Sequence, residues 1–95
     1  ARATAVGDFA VRHGLDSAGL IGLFEWTEPE WQARTAGSAI RRAGYEGWLR
    51  NVAVALGNAP ADERVVAALA ARCDDPSPVV REHVRWALER QRSRT

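Results

Sequence analysis

Five arginines are the residues whose type and spacing best support chemistry in this sequence. Arg41 and Arg42 stand just before a predicted helix, Arg50 lies about two turns further along it, and Arg81 and Arg85 are one turn apart near the end of the chain. The planar guanidinium group binds phosphate oxygens through two parallel hydrogen bonds. If the helices expose these positions on one side, the arginines form a basic ridge suited to a phosphate backbone.

Two simpler explanations for these arginines stay open. The first is a solvated helix face with local ion pairs, such as Arg85 with Glu82 or Glu89. The second is codon usage: every basic residue is an arginine, which a GC-rich genome also favours. The net charge is only +1, although residues 34–50 hold four arginines against one acidic residue. Spacing alone does not decide between phosphate binding and a solvated face.

The other polar candidates are weaker, and none indicates catalysis. Asn51 and Asn58 could contact bases or carbonyl groups, although a helix end explains Asn58 equally well. Ser38 has no base placed near it by a motif, and helix capping is its ordinary role. His83 is expected to be a packed or rim histidine. The sequence contains no glycine-rich phosphate loop, cysteine cluster or paired-histidine metal motif.

Length and composition indicate one ordinary globular domain. The chain has 95 residues, of which 46% are hydrophobic and 26% charged. No apolar run is long enough to span a bilayer and no signal-peptide pattern is present, so we expect a cytoplasmic protein without a membrane partner. Because the sequence starts at Ala1 and has no methionine, we expect it to be a piece of a longer or processed protein.

The central predicted helix lies within residues 38–58 and would position most of the candidate arginines. Gly57-Asn58 supplies a left-handed helix stop, Ser38 caps a short turn over residues 39–43, and Gly44 permits a bend into the main helix. Apolar residues recur at steps of three and four, at Tyr45, Trp48, Leu49, Val52, Ala55 and Leu56.

Capping residues predict the starts of four further helices. These are Asp16, Thr27 with Glu30 in a capping box, Asp62 and Ser77. No segment shows the alternation of a strand, so the fold is predicted to be all-α, with five or six helices. Residues 1–15 are expected to be a lead-in from an upstream domain, and the tail from Arg90 to Thr95 is expected to fray.

Two further expectations concern the core. The lone Cys73 follows Leu69 by four residues and is predicted to be a buried small hydrophobe. Four tryptophans are many for this length; most are expected in the core, with Trp26 and Trp86 the likelier surface positions.

An internal repeat relates the central helix to the last one. A shift of 32 residues places Val52, Ala55 and Leu56 over Val84, Ala87 and Leu88. One helix and an Asp-Pro turn lie between them, which is the layout of a helical-hairpin solenoid. The segment DPSPVVREHVRWALER resembles the first helix of a HEAT-type repeat. We therefore predict a single HEAT-like domain over residues 16–95, with repeat units at 45–73 and 77–92.

The chain as a whole resembles the C-terminal region of the epoxyqueuosine reductase family over residues 15–90. The residues that carry the resemblance are LIGLFEWTEPEWQARTAGSAIRR, GSAIRRAGYEGWLRNVAVALGNAP and the half-repeat ending REHVRWAL. A generic HEAT repeat lacks this combined pattern. The resemblance implies an enzyme that reduces an epoxide on the wobble base of tRNA with a cobalamin and two [4Fe–4S] clusters.

This chain would then be the non-catalytic helical module of such an enzyme, with tRNA and the enzyme's own catalytic and ferredoxin-like domains as partners. The resemblance gives a possible tRNA or domain-interface role to Ser38, Arg41, Arg42, Arg50, Asn51 and Asn58. The competing hypothesis is a HEAT-like module that binds proteins or domains and no nucleic acid. A helix-turn-helix DNA-binding protein is a weaker third.

Overall fold

The computed structural model describes residues 16–36 and 44–93, and these form five helices without a strand. The all-α prediction is therefore confirmed. The helices, in chain order, are α1 (Ser17–Phe24), α2 (Glu28–Thr35), α3 (Gly44–Asn58), α4 (Glu63–Ala70) and α5 (Pro78–Ser93). None of these described helices is both long and apolar enough to cross a bilayer. The predicted lead-in over residues 1–15 and the short turn over 39–43 lie outside the described residues.

The four predicted helix caps are confirmed. Asp16 accepts a hydrogen bond from the Gly19 N–H at 3.0 Å, and Asp62 accepts one from the Arg64 N–H at 2.8 Å. Ser77 Oγ accepts from the Val80 N–H at 3.2 Å. Each cap satisfies an N–H that a helix start leaves without an intrahelical partner.

The capping box at α2 forms as predicted. The Thr27 N–H donates to Glu30 Oε1 at 2.9 Å, and the Glu30 N–H donates to Thr27 Oγ1 at 3.4 Å. The Thr27 N–H and the Thr27 hydroxyl both donate to Glu30 Oε1 and lower the pKa of Glu30 below its usual value, because they favour the charged carboxylate. Gly44, at the start of α3, has a φ of 77°, a conformation that glycine adopts without strain.

The helices pack in two layers, with α1 and α4 in one and α3 and α5 in the other. Hydrogen bonds define their directions. Glu46, near the start of α3, accepts a hydrogen bond from Ser77 at the start of α5. Gln91, near the end of α5, donates to Leu56 O near the end of α3. Helices α3 and α5 are therefore parallel neighbours.

This pairing is the arrangement that the 32-residue repeat predicts for its two equivalent helices. The assignment to the HEAT-like class stays a prediction.

Successive turns of α3 supply apolar side chains to the core between the layers. Trp48, Leu49, Val52 and Leu56 of α3 are at most 1% exposed, as their spacing predicts. Trp48 also stacks on Trp26 with 5.3 Å between ring centroids and 5° between planes. The remaining large buried apolar residues are Leu20, Leu23, Phe24, Trp31, Val65, Leu69, Val80, Val84 and Leu88.

Polar side chains connect the layers at both ends. At one end Gln91, which is fully buried, joins the end of α3 to the start of α4. At the other end Arg72, which follows α4, donates to Phe24 O at 2.8 Å and to Trp26 O at 3.1 Å. Neither role was predicted from the sequence.

Three expectations about helix ends are wrong. Gly57-Asn58 does not stop α3 in a left-handed turn: the helix runs through Asn58, and Gly57 is buried inside it. Cys73 is exposed rather than buried, because α4 ends at Ala70 and the following turn carries Cys73 off the helix face. Arg90 does not lie in a frayed tail, because α5 continues to Ser93.

The corner between α1 and α2 gives a first testable prediction, at Tyr45. Its hydroxyl donates to Trp26 O at 2.6 Å. Burial raises the pKa of Tyr45 above its usual value, although the nearby Arg72 opposes the rise. Since the folded-state pKa is the higher one, the neutral phenol stabilises the fold fully below about pH 10 and progressively less as the pH rises further.

Tyr45→Phe should lose about 1 kcal/mol of unfolding free energy at neutral pH and should lack this tyrosine-linked alkaline loss. Chemical denaturation at neutral and alkaline pH measures both effects. Tyr45 is the only tyrosine in the sequence, so tyrosinate absorbance reports its ionisation directly. A native pKa at or below the usual value would contradict the prediction.

Candidate nucleic-acid interface

Five of the eight predicted site residues lie within the described part of the chain. Ser38, Arg41 and Arg42 fall in residues 37–43 and lie outside the described residues. The positions that the structure does place are Arg50, Asn51, Asn58, Arg81 and Arg85.

Arg50 and Asn58 lie on one stripe of α3, on either side of Val54. The three residues are four apart, so they follow one another along the same side of the helix. Arg50 is half-buried and Asn58 exposed, and Arg50 forms no ion pair with the described residues. Asn51 is half-buried beside this stripe, three residues before Val54. The stripe therefore presents the Arg50 cation one turn before Val54 and the Asn58 amide one turn after it.

A shallow groove of about 370 Å³ lies between this stripe and α5. Val54 lines it from α3, and Glu82, His83 and Trp86 line it from α5. We call it the outer groove. The His83 Nδ1 lies 2.8 Å from Val79 O, so this nitrogen donates to the carbonyl and the ring is held against its own helix. The expectation of a packed or rim histidine agrees with this position.

Trp86 is the one large hydrophobic side chain exposed in the described ranges, at 39%. The edge of its ring approaches the backbone of Gly57: a Cβ at Gly57 would stand 2.8 Å from Trp86 Cζ3. Arg90 follows by one turn and places its Cζ 5.3 Å from the ring centroid, within cation–π range. The indole therefore packs against the backbone of α3, and the Arg90 guanidinium lies over its ring.

Arg81 and Arg85 occupy other parts of α5. Arg81 Nη1 donates to Asp75 O at 2.7 Å and to Pro76 O at 3.2 Å, so its guanidinium lies on the turn before the helix. Arg85 is exposed. It precedes Ala87 by two residues, so the two side chains point about 160° apart around the axis of α5. Ala87 packs against Gly57 of α3, so Arg85 points away from α3. The structure therefore does not bring Arg50, Arg81 and Arg85 onto one ridge.

Helix α5 nevertheless carries a surplus of positive charge. It contains four arginines, at 81, 85, 90 and 92, against glutamates at 82 and 89. Arg85 forms no ion pair with Glu82 or Glu89, and Arg90 forms none within the described residues, whose ion pairs are Arg64–Asp62 and Arg72–Asp75. Arg92 already has an interaction partner, so we do not count it among the unpaired arginines. The local pairs that would have explained Arg85 are thus not formed.

The remaining polar groups serve the fold. Asp75 pairs with Arg72 at 3.4 Å and accepts from the Ser77 N–H at 3.0 Å, the turn role expected for an aspartate before proline. Within the described ranges, no three His, Cys, Asp or Glu side chains are grouped as metal ligands would be. A [4Fe–4S] cluster requires four thiolates as a rule, and the whole sequence has one cysteine. This chain's residues therefore do not fit an iron–sulfur cluster.

Sequence reasoning missed the contributions of Arg90 and Gly57 to the outer groove. Arg90 was assigned to a frayed tail and Gly57 to a helix stop. The available signal was the spacing of Arg90 four residues after Trp86. No local signal marks Gly57, because its role depends on a ring 29 residues away.

Comparisons with known proteins identify close relatives. The chain is 60% identical over 90 residues to the epoxyqueuosine reductase of Pseudomonas aeruginosa, a match that covers 95% of the chain and 25% of that protein. It is 57% identical over 100 residues to that of Burkholderia pseudomallei, with 93% of the chain and 24% of the protein covered. It is 49% identical over 84 residues to that of Escherichia coli K12, with 88% and 22% covered.

No protein-family model and no solved structure matches the chain. The chain spans about a quarter of the length of the curated relatives it matches. At 46–60% identity across most of its residues, the sequence resemblance is confirmed, and the chain is a relative of the epoxyqueuosine reductases over that quarter of their length.

Proposed function

We propose that this chain is the C-terminal helical module of an epoxyqueuosine reductase-like tRNA-modification enzyme and that it contributes to tRNA binding. The relatives' name supports the link to queuosine synthesis on tRNA. The observation that carries the binding role is the exposed pair Arg85 and Arg90 on α5, which form no ion pair within the described residues, together with Arg50 beside the outer groove. An anionic partner would supply the missing counter-charges.

The chemistry of such an enzyme would be performed outside this module. The cobalamin and the two [4Fe–4S] clusters implied by the family would be held by catalytic and ferredoxin-like domains, since this chain's one exposed cysteine cannot ligate a cluster. In this proposal the module acts in the cytoplasm and positions tRNA for those domains. Its contribution is measurable as affinity rather than as a chemical step.

Phosphate contacts would dominate the affinity and make it salt-dependent. Arg50 lies one turn before Val54 on α3 and Arg90 one turn after Trp86 on α5, and both Val54 and Trp86 line the outer groove. Arg85 extends the positive surface of α5 away from it. A folded tRNA presents phosphates on several sides, so arginines on different faces of α5 can contact one molecule. Shape and backbone contacts are the usual basis of such recognition.

The test compares two double variants of the full-length protein with equal loss of charge. Arg50→Gln/Arg90→Gln should weaken tRNA binding by at least about fivefold and lower the slope of log affinity against log salt by about 2. Arg34→Gln/Arg64→Gln removes the same charge away from the groove and should leave both quantities near wild type. Fluorescence anisotropy with labelled tRNA at several salt concentrations gives affinity and slope together.

Equal effects of the two pairs would show that only net charge matters, which would contradict a defined RNA-binding face. Absence of tRNA binding by the unmodified protein would contradict the proposed function outright.

The alternative is a module that binds protein domains only. A large exposed apolar patch beside the arginines would favour it. In the described ranges, however, the exposed large hydrophobic side chains consist of Trp86 alone. A helix-turn-helix role is also less well supported, because α3 and α5 both bury one face in the core and both pack extensively against each other.

A further inference from the structure

The exposure of Trp86 is not explained by the core of the protein. Trp31 and Trp48 are 3% and 1% exposed, and Trp26 stacks on Trp48. Trp86 instead leaves 39% of its surface exposed in the outer groove. A tryptophan carries a large apolar surface that is usually mostly buried, so its position at the groove needs a separate reason.

One edge of the Trp86 ring packs directly against the backbone of α3 at Gly57. Gly57 lies inside α3 and has no side chain, and the indole edge occupies the space where a Cβ would be, at 2.8 Å. The Cα of Ala87 would lie 3.0 Å from the same Cβ position. A ring seated on a helix backbone loses little further freedom when a ligand stacks on it, which favours binding by pre-organisation.

The charges around the ring fit a nucleic acid strand. Arg90 lies over Trp86 at 5.3 Å, and Arg50 stands one helical turn before Val54, which lines the groove. Among the described residues, Glu82 is the single acidic one that lines the groove, and it can accept a hydrogen bond from a base amino group. A positively charged groove that carries an exposed aromatic side chain is the recurring arrangement for single-stranded nucleic acid.

We propose that an unpaired base of the bound RNA stacks on Trp86 in the outer groove, with the flanking phosphates on Arg50 and Arg90. This inference rests on the proposed tRNA-binding function and assigns that function a base-stacking site. It concerns single-stranded RNA rather than a duplex, because paired bases do not expose a face for stacking. A protein partner fits less well, because it would cover a continuous apolar patch rather than a single exposed ring with a cation over it.

The experiment uses the full-length protein and a tRNA anticodon stem-loop whose loop bases are replaced one at a time by abasic nucleotides. Trp86→Leu keeps an apolar side chain but removes the aromatic face, and should bind the intact stem-loop about 5- to 100-fold more weakly. Trp86→Phe keeps an aromatic face and should remain within about threefold of wild type. The salt slope should be unchanged in both, because no phosphate contact is lost.

The abasic series tests the contact independently of how each variant folds. One loop position should weaken wild-type binding by the same factor as Trp86→Leu and cause no further loss in that variant, because the two changes remove one shared interaction. The proposal is overturned if every abasic substitution weakens wild type and Trp86→Leu equally, or if Trp86→Phe is as weak as Trp86→Leu.

The outcome also separates this inference from the proposed function. Binding that depends on Arg50 and Arg90 but not on Trp86 keeps the function and overturns the stacking site. Unchanged RNA binding with a lower Tm of the full-length Trp86→Leu protein would show that the ring packs on another part of the protein, and also overturns it. A full-length protein that binds no RNA would overturn both.

Discussion

Replacing Gln91 with leucine is expected to lower the free energy of unfolding by about 3 kcal/mol or more. Gln91 is fully buried, and its Nε2 donates to Leu56 O and Ala59 O, each at 2.9 Å. Its Oε1 accepts from the Asp62 N–H at 3.1 Å. Leucine fits the space but removes all three hydrogen bonds, each of which contributes about 0.5–1.5 kcal/mol. Leu56 O keeps the Ala59 N–H as a donor, whereas leaving the Asp62 N–H without its acceptor costs about 1–3 kcal/mol.

The size of this effect follows from where the three backbone groups lie. Leu56 lies in the last turn of α3, where carbonyls lack the usual intrahelical partners, Ala59 directly follows the helix, and Asp62 caps α4. One amide therefore terminates one helix, positions the cap of the next and holds both against α5. Since a domain of this size is stable by about 5–15 kcal/mol, the loss should be visible as a large drop in Tm.

Gln32→Leu provides the matched control, because Gln32 is exposed on α2. The same substitution there should change the free energy of unfolding by less than about 0.5 kcal/mol. Urea denaturation of both variants measures the difference. Similar small losses at the two positions would contradict the role of Gln91 as a buried hydrogen-bonding centre.

The helix starts could be predicted from the sequence because capping is local. Thr27 and Glu30 are three residues apart and contact each other within one turn, so the sequence contains both partners side by side. The same holds for Asp62 with the Arg64 N–H. The apolar spacing of α3 likewise predicted its buried face, because a helix repeats every 3.6 residues.

The role of Gly57 near the end of α3 could not be predicted in this way. Gly57-Asn58 carries a typical C-terminal stop signal, and α3 does end at Asn58, but Gly57 lies inside the helix, where the Trp86 ring meets the α3 backbone. The close approach of two helices thus explains the glycine better than local conformation does. The exposure of Cys73 has a similar origin, because its four-residue spacing from Leu69 has meaning only while the helix lasts, and α4 ends at Ala70.

The nucleic-acid-binding role of the candidate residues stays a prediction, and the structure brings only some of them together. Arg50 and Asn58 lie beside one groove, whereas Arg81 is turned onto the Asp75 and Pro76 carbonyls. Spacing along one helix predicts which residues share a side, but not which side faces a neighbouring helix. That information depends on the packing of α3 against α5, which only the three-dimensional structure supplies.

Arg72 gives the second large expected effect, at the opposite end of the molecule from Gln91. Its Nε donates to Phe24 O at 2.8 Å, and its Nη2 donates to Trp26 O at 3.1 Å and to Tyr45 at 3.2 Å. Its side chain is only 21% exposed. Arg72→Met keeps most of the apolar stem but removes every donor and leaves Asp75, 11% exposed, without its cation. We expect a loss of about 2–4 kcal/mol.

Arg64→Met is the matched control for this prediction. Arg64 also pairs with an aspartate, at 2.9 Å, but its side chain is 68% exposed, and exposed ion pairs contribute little because water screens them. Thermal and urea unfolding should therefore separate the two variants clearly.

The free energy of unfolding of Arg72→Lys should remain well below that of wild type, because an ammonium group cannot reproduce the forked contacts of the guanidinium. If Lys restores full stability, charge alone holds this corner; if Met is harmless, the carbonyls of Phe24 and Trp26 do not depend on Arg72.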